Sequence, residues 1–371
     1  MKLIYIANTR VPSEKANSVQ SMKMCQSFSN FFTTVEFWTG KSRNIKKMKS
    51  VENIYDFYGV QDKFKIKKIF QYDSFILGHT NEFLWSNIRG LIFALNVLLK
   101  LRKNLYKDAI VYTRSWYVLL ILKTFTRRKV FFEAHKYSPK IINILQRCDG
   151  LIVINNFLLN RYSSHDFKKI IKLHDAVDIE EFSSISNYSR KNPSDKFNIL
   201  YFGSLYPHKG VETVIDALTF LPENFYFTCI GGEGAYFEKL VDYVKEKKLS
   251  HRVTLSNFIP KKQLLKYIDR ADFLVIPNSN KYEENLGTSP LKLFEYMASR
   301  RIIISSRIDA ITEVLSTEEA FFFVPDDSLS LANQIIAASL VDSSNKIRKS
   351  FKKAQKYSWD NRAREIFNFI V

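Results

Sequence analysis

The segment 288–298 (TSPLKLFEYMA) combines residue types that could bind a charged ligand. It follows a short apolar run that predicts a buried parallel strand. Ser289 and Pro290 predict a helix start, with a hydroxyl cap and then a proline where no amide hydrogen is needed. The free amides of such a turn, with Lys292, would bind an anion, and Glu295 could accept hydrogen bonds from a diol. Diphosphate joined to ribose fits this pattern, which indicates nucleotide-sugar binding.

The loop 203–210 (GSLYPHKG) provides a second cation at the same predicted edge of a sheet. It follows a strand-like apolar run and precedes a helical pattern. Gly203 permits close approach of the backbone to a ligand, and Lys209 places an ammonium group where phosphates bind in open α/β sheets. His208 could add to the phosphate site or be an ordinary solvated side chain. We therefore expect Lys209 and Glu295 to face one site.

Polar residues in the first half of the chain predict another site. Asn17 and Ser18 are good helix N-caps, so the loop before them predicts a second helix start that favours an anion. His135 follows a strand-like run, at the edge of the sheet where ligands bind. Arg114 also follows a predicted strand, and it could pair with Glu133 or bind an anionic acceptor. The sequence leaves both roles for Arg114 open.

In their order along the chain, these segments resemble the motifs of the family 4 retaining glycosyltransferases, which have the GT-B fold of two Rossmann-like domains. The resemblance covers nearly the whole chain. It implies a hexosyltransferase-type enzyme in which His135 lies beside the transferred sugar, Lys209 holds the donor diphosphate and Glu295 binds the ribose hydroxyls. The chain departs from the family at Ser204, where arginine is usual, and at Gly287, where a first glutamate is usual.

The resemblance also implies the remaining site residues. On the donor side they are Gly203, Ser204, Lys209, Gly232, Phe258, Ile259, Ser289, Pro290, Leu291, Lys292 and Glu295. On the acceptor side they are Ala16, Asn17, Ser18, Arg114 and Glu133. No cofactor is implied. No metal site is expected either, because the sequence has no Asp-x-Asp run and its six histidines lack ligand spacing.

Positive charge is concentrated in the first half of the chain. Residues 1–190 contain 31 Lys and Arg against 15 Asp and Glu, a balance of +16, whereas the remainder carries +3. Basic clusters occur at 41–49, 63–68 and 127–129. Such a field favours an anionic partner, and anionic lipid headgroups fit it. Nucleic acid would fit by charge alone, but no nucleic-acid motif accompanies the clusters, so none is expected as a partner.

The order of predicted elements gives two doubly wound α/β domains, 371 residues being ample for both. We assign residues 1–187 to an acceptor-binding domain and 188–355 to a donor-binding domain, with a linker near 183–196. The resemblance implies that the final helix, 356–371, packs back on the first domain and that the domains face each other across a cleft. The segment 44–81 is polar and irregular, and its pattern does not predict particular helices or strands.

Composition fits a cytoplasmic protein at the inner face of the plasma membrane. The apolar run 90–99 is about half the length of a spanning helix, three separated cysteines have no metal or redox spacing, and the first residues form a strand pattern rather than a signal peptide. The expected function is transfer of a sugar from a UDP- or GDP-linked donor to a lipid-linked or cell-surface glycan. The alternatives are a noncatalytic glycan-binding or sugar-nucleotide-binding partner in polysaccharide assembly, and a sugar-nucleotide epimerase.

Overall fold

The computed structural model describes residues 1–42, 48–72 and 82–371. The chain forms two compact units. The first contains Met1–His174 together with Trp359–Val371, and the second contains Asp175–Ser358. Part of the basic cluster 41–49 lies outside the described residues.

The first unit is a parallel sheet covered by helices. Within the described residues its seven strands run in the order β3-β2-β1-β4-β5-β6-β7. The strands are β1 Lys2–Ala7, β2 Thr34–Gly40, β3 Lys65–Ile69, β4 Ile110–Thr113, β5 Val130–Ala134, β6 Gly150–Val153 and β7 Ile170–Lys172. The α-helices are Ala16–Phe28, Ile54–Tyr58, Glu82–Leu101, Trp116–Phe125, Ile142–Leu145, Asn156–Ser163 and Trp359–Ile370.

Central strands of this sheet are apolar on both faces because helices cover both sides. Positions 3–7 of β1 are all buried, as is the whole of β4. Phe93, Val97 and Leu101 of the helix Glu82–Leu101 pack in the same core. Short β7, by contrast, is only half-buried, which fits its place at the edge of the sheet.

The segment 44–81, which the sequence left unassigned, contributes a helix, Ile54–Tyr58, and the edge strand β3. Part of the basic cluster 63–68 therefore has a structural role. Lys67 of β3 pairs with the carboxylate of Glu36 at 2.8 Å and donates a hydrogen bond to the Tyr106 hydroxyl at 2.6 Å. Lysine on an exposed edge strand also opposes pairing with another sheet.

The second unit repeats the plan. Among its residues, six parallel strands run in the order β10-β9-β8-β11-β12-β13. The strands are β8 Phe197–Phe202, β9 Phe225–Gly232, β10 Val253–Asn257, β11 Phe273–Ile276, β12 Ile302–Ser306 and β13 Phe321–Phe323. The α-helices are Val211–Ala217, Ala235–Glu246, Lys261–Arg270, Leu291–Ala298, Asp309–Thr312, Ser328–Leu340 and Ser344–Ala354.

The boundary between the units differs from the expected one at residue 187. Residues 175–187 belong to the second unit because Val177, Phe182 and Ile185 are buried in its core. The polar stretch after them suggested a linker, but the apolar residues just before it decide where the segment packs. The final helix, Trp359–Ile370, belongs to the first unit and packs on the helix Ala16–Phe28.

Candidate functional site

In the second unit, the loops after β8 and β11 meet at the carboxyl edge of the sheet. The strand order reverses between these two strands, and open α/β sheets bind ligands at such a point. The amide of Ser279 donates to the carbonyl of His208 at 3.1 Å. Gly210 has a φ of +66°, and a Cβ there would lie 2.1 Å from the carbonyl oxygen of Pro277. Only glycine fits, so the two loops can pack closely.

Lys292 brings a buried positive charge to this edge. Its residue is 9% exposed, and its Nζ has no hydrogen-bond partner among the described residues. The ammonium lies 3.7 Å from the centre of the Tyr201 ring. A Cβ at Gly203 would lie 3.1 Å from this Nζ, so the loop after β8 passes directly over the charge. Burial, and then the neighbouring charge of Lys209, hold the pKa of Lys292 well below its usual value.

Lys209 adds a second cation close to the first. It ends a short 3-10 helix, Pro207–Lys209, in the loop after β8. Burial lowers the pKa of Lys209 to about 8. His208 stacks on Tyr206, and burial followed by the charge of Lys209 lowers the pKa of His208 to about 4. The lowered pKa favours the uncharged imidazole of His208 in the ligand-free protein, and the contribution of His208 to a phosphate site stays a prediction.

Glu295 lies on the helix Leu291–Ala298, one turn beyond Lys292. Its carboxylate forms an ion pair with Lys261, which also lies 3.6 Å from the carboxylate of Glu181. Lys261 could not be predicted as a site residue from the sequence, because it begins a helix of ordinary amphipathic pattern. The pair fixes the direction of the Glu295 side chain, which keeps a quarter of its surface exposed.

The predicted cap of this helix is wrong in its residue. The helix begins after Pro290, and no side chain caps it. The hydroxyl of Ser289 instead accepts a hydrogen bond from the amide of Asp175 at 3.0 Å. The amides of the first turn therefore have no capping side chain. Ser289 instead fixes the segment at residue 175, a role that depends on tertiary structure.

The other predicted donor-side residues are spread along the same edge. Ser204 is exposed and its carbonyl accepts a hydrogen bond from the Tyr201 hydroxyl at 2.9 Å. Gly232 ends β9, and Phe258, 41% exposed, lies just beyond β10. Ile259 packs against the core of the unit. Leu291, half-buried, opens the helix that carries Lys292 and Glu295.

A cavity of about 210 Å³ lies beyond the carboxyl ends of β11 and β12. Its lining residues are Ser279, Asn280, Tyr282, Asn285, Leu286, Arg307, Ile308 and Asp309. Asn285 is buried, and its Nδ2 donates to the carbonyls of His208 and Ser279, each at 2.7 Å. This cavity therefore adjoins the loop that carries Lys209. Sequence patterns did not predict it, because its residues come from two separate segments, 279–286 and 307–309.

The first unit has a larger cavity, of about 460 Å³, at its own strand-order reversal between β1 and β4. Its lining residues are Ala7, Asn8, Thr9, Asn17, Ser21, Ser86, Arg89, Gly90, Arg114, Ser115, Trp116, Tyr117 and Lys136. Two of the predicted acceptor-side residues, Asn17 and Arg114, line it together. The aromatic pair Trp116 and Tyr117 was missed, since the sequence alone reads as the start of an apolar helix.

The predicted cap residues of the first helix are also wrong. The helix Ala16–Phe28 begins two residues earlier than Ser18, and its N-cap, Lys15, makes no side-chain cap. Ser18 is fully buried, and its hydroxyl donates to the carbonyl of Arg10 at 2.9 Å. The hydroxyl thus stabilises the preceding loop rather than the helix end. Ala16, at the first turn, and Asn17 beside the cavity are exposed.

Behind this cavity lies a buried polar network centred on Glu133. The carboxylate accepts from Nε2 of Gln20 at 2.6 Å and from the Tyr112 hydroxyl, contacts Nε2 of His135, and forms an ion pair with Arg362 at 3.1 Å. Burial raises the pKa of Glu133, but Arg362 and then His135 outweigh it, so the pKa lies well below its ordinary value. The carboxyl group of Glu133 is therefore ionised at neutral pH.

This network shows how Arg114 is placed relative to Glu133. Arg114 donates to Oε1 of Gln20, which in turn donates to Glu133, so its link to the carboxylate is indirect. Its guanidinium also borders the cavity, where it can meet a ligand. His135, whose side chain is 23% exposed, is oriented by Glu133. No sequence signal pointed to Arg362, which comes from the final helix.

Within the described residues, no group of three or more His, Cys, Asp or Glu side chains could hold a metal ion. The groups present at the two edges are lysine ammonium groups, helix amides and one buried carboxylate network. The second unit provides an anion site with a carboxylate beside it. The first provides a polar cavity lined by an arginine, and a buried network that orients the histidine His135.

Two doubly wound parallel sheets with this strand order define the GT-B class, and solved structures of similar fold agree. Anabaena HepE, in complex with UDP and glucose, matches with a TM-score of 0.73 at 14% identity, covering 100% of this chain and 99% of its own. Sucrose-phosphate synthase from Thermosynechococcus elongatus matches with a TM-score of 0.73 at 16% identity, covering 100% and 98%. At such identities the likeness concerns the fold alone.

Residues 185–357, inside the second unit, match the family "Glycosyl transferases group 1". This segment, a little under half of the chain, is similar to the group 1 glycosyltransferases. WcaL of Escherichia coli, named as a colanic acid biosynthesis glycosyltransferase, is 24% identical over 212 residues, 56% of this chain and 51% of WcaL. AmsK of Erwinia amylovora, an amylovoran biosynthesis glycosyltransferase, is 26% identical over 145 residues, 38% of this chain and 35% of AmsK. The chain spans about half or less of these relatives.

Proposed function

We propose that this protein is a retaining glycosyltransferase that transfers a sugar from a nucleoside diphosphate donor to a lipid-linked or cell-surface glycan in polysaccharide biosynthesis. The observation that carries the proposal is the ammonium group of Lys292, buried with no hydrogen-bond partner among the residues that the structure describes. It lies at the strand-order reversal of a unit that is similar to the group 1 glycosyltransferases. A buried charge needs a counterion. A diphosphate supplies one, and Lys209 provides a second positive charge for it.

Each donor-side residue then has a physical role. The amides that open the helix Leu291–Ala298, with Lys209 and Lys292, would hold the diphosphate and stabilise its charge as the sugar leaves. Glu295, held by Lys261, would accept hydrogen bonds from the ribose hydroxyls. Polar groups of the 210 Å³ cavity would bind the sugar. The UDP complexes of HepE support a uridine donor, and a GDP-linked donor remains the other candidate.

The acceptor would enter the 460 Å³ cavity of the first unit, with His135 near the transferred sugar and Arg114 binding an anionic group. Retention of configuration follows from the family resemblance. The named roles of WcaL and AmsK in exopolysaccharide synthesis support a glycan acceptor. The +16 charge of the first half supports a location at the inner face of the plasma membrane, where anionic lipids would attract it.

Nucleotide binding tests the donor site. In Lys292→Met the buried charge is replaced by an apolar side chain of similar length, so we expect the dissociation constant for UDP or GDP to rise about 30-fold, roughly 2 kcal/mol. Isothermal titration calorimetry measures it. The control is Lys262→Met, an exposed lysine on a neighbouring helix, which should bind as the wild type does. If Lys292→Met bound the nucleotide with unchanged affinity, the diphosphate would not bind at this site.

A second candidate, a noncatalytic sugar-nucleotide or glycan-binding protein, is favoured by Gly287 and Ser204, since both positions are usually charged in the family. Incubation with radiolabelled UDP-sugars, GDP-sugars and membrane extract separates the two. Label in lipid or glycan supports the transferase. Tight nucleotide binding with neither transfer nor slow release of free sugar would favour the binding protein, whereas an altered sugar nucleotide without acceptor would indicate an epimerase.

A further inference from the structure

The helix Glu82–Leu101 has an apolar face that is only partly covered by the described residues. Its stretch Leu84–Leu101 has a mean hydropathy of 1.3, yet only 33% of it is buried. Leu91, Leu95 and Leu99 are 40%, 44% and 59% exposed. A helix that served only as core would bury such residues. The opposite face is already occupied, since Phe93, Val97 and Leu101 pack in the core of the unit.

The three exposed leucines form one continuous strip, here called the leucine ridge. At 3.6 residues per turn, their spacing of four residues keeps them within about an 80° arc of the helix surface. Scattered exposed leucines are normal in soluble proteins, but a strip along one helix is an interaction surface. The ridge spans two helical turns or more, so its partner must offer an extended apolar surface.

Basic residues surround the carboxyl end of the ridge. Arg102 and Lys103 follow the helix and are exposed. Arg128 donates to the carbonyls of Leu101 and Lys107, which brings the basic segment 127–129 alongside. Two exposed apolar side chains lie close to these basic residues in sequence. Leu105 follows Lys103, and Phe125 precedes the segment 127–129; they are 66% and 57% exposed. Asp108 is the acidic residue among these positions.

We propose that the leucine ridge is a membrane-docking surface, with its leucines inserted into the headgroup–acyl boundary of an anionic bilayer. Apolar residues on one helix face with flanking Lys and Arg are what an interfacial helix requires. The charge of +16 on the first half also favours an anionic surface over a second copy of the same chain, whose like charge would repel it. The helix stays folded on the unit and lies along the membrane.

The same helix contributes Ser86, Arg89 and Gly90 to the lining of the 460 Å³ cavity. Docking by the ridge would therefore hold this cavity at the level of the lipid headgroups. On the proposed function, a lipid-linked acceptor in the same bilayer would present its polar head to the cavity. This last step rests on the transferase proposal, whereas docking itself does not.

Sedimentation with vesicles tests the docking surface. We expect the wild-type protein to bind vesicles of phosphatidylglycerol and phosphatidylcholine, and to bind phosphatidylcholine alone weakly. Leu91→Gln with Leu95→Gln should lower the partition coefficient about tenfold or more, because two apolar anchors are lost. The matched control is Leu329→Gln with Leu340→Gln, two leucines of the second unit that are 50% and 53% exposed. A circular dichroism melt confirms that each variant is folded.

A second experiment tests the contribution of the basic residues. Arg102→Gln with Lys103→Gln should weaken binding to anionic vesicles and reduce its sensitivity to salt. The proposal would be overturned if the leucine variant bound vesicles as strongly as the wild type. It would also be overturned if the wild type were a dimer and the leucine substitutions made it monomeric without weakening vesicle binding. UDP affinity measured on the same variants separates the two proposals. Loss of docking with intact nucleotide binding supports the ridge, and docking without any sugar transfer would contradict only the transferase.

Discussion

Lys292 and Lys209 place two amino groups at one site. Within the described parts of the chain, no acidic side chain bonds to that of Lys292. Leaving an ammonium group in a buried position costs several kcal/mol of folding free energy, which depressed pKa values partly relieve by proton release. Burial lowers the pKa of Lys209 to about 8 and that of Lys292 well below its usual value. Such strain is typical of a site that completes its charge balance with a ligand.

The protonation of Lys209 gives a pH prediction. A diphosphate binds the protonated amine, which in the free protein predominates below pH 8. Above pH 8 binding must take up a proton, so affinity should fall by up to about tenfold per pH unit. In Lys209→Arg the side chain stays charged, and the break near pH 8 should vanish while the titration of Lys292 remains. Calorimetric titration with UDP at several pH values, in buffers of different ionisation enthalpy, measures both affinity and proton uptake.

At the scale of elements, sequence patterns found most strands but few of the side-chain partners. The apolar runs 2–7 and 197–202 predict strands, and β1 and β8 have these bounds, since a continuous apolar run ended by polar residues is a strong local signal. Strands β3 and β7 were missed because they lie at the edges of the sheet and are short, with mixed polar and apolar residues. Edge strands are defined by their neighbours rather than by their own pattern.

The candidate site divides in the same way. The positions of Lys209, Lys292 and Glu295 beyond the carboxyl ends of strands were predictable, because apolar runs in the sequence indicate where β8 and β11 end. Their roles stay predictions. Lys261 and Arg362 were not, since each reaches its partner through tertiary packing, the second from 229 positions along the chain (Glu133 to Arg362). The caps at Ser18 and Ser289 failed for a related reason: in both cases a loop backbone group competes for the hydroxyl.

The ion pair between Glu133 and Arg362 joins the strand β5 to the final helix and gives a stability prediction. Removing one partner of a buried pair costs about 3–5 kcal/mol. We expect Arg362→Met to lower the free energy of unfolding of the first unit by about that amount, and Glu133→Gln combined with it to recover part of the loss. Urea unfolding of both single variants and the double variant measures the coupling.

The same pair sets a pH dependence. The folded pKa of Glu133 is depressed, so its contribution to stability is present above the unfolded value of about 4.3 and is lost as pH falls toward the folded pKa. The gap between the wild type and Arg362→Met should therefore narrow on acidification below about pH 4. Arg364→Met, which changes an exposed arginine on the same helix, is the control. A constant gap would mean that Arg362 stabilises the unit by packing alone.

At the scale of the whole molecule, the chain leaves the first unit at His174, forms the second, and returns with Trp359–Val371. The returning segment is held by specific contacts. The Phe367 ring packs edge-on to that of Phe32 at 5.2 Å, and Asn30 donates to the carboxylate of Asp360 at 3.1 Å. The first unit is thus built from residues that are far apart in sequence. We therefore expect its folding to need both segments, whereas the second unit is one continuous segment.

Deletion of residues 359–371 tests this division. We expect the first unit to lose stability, because the buried side chains of Trp359, Ile366 and Ile370 leave its core and Glu133 loses Arg362. The second unit should keep its fold and its UDP affinity, since none of its residues is removed. Limited proteolysis with mass spectrometry locates the cleavages, which should concentrate in residues 1–174. Deletion of Val371 alone, 72% exposed, is the control. Equal loss of protection in both units would show that the final helix stabilises the molecule as one cooperative body.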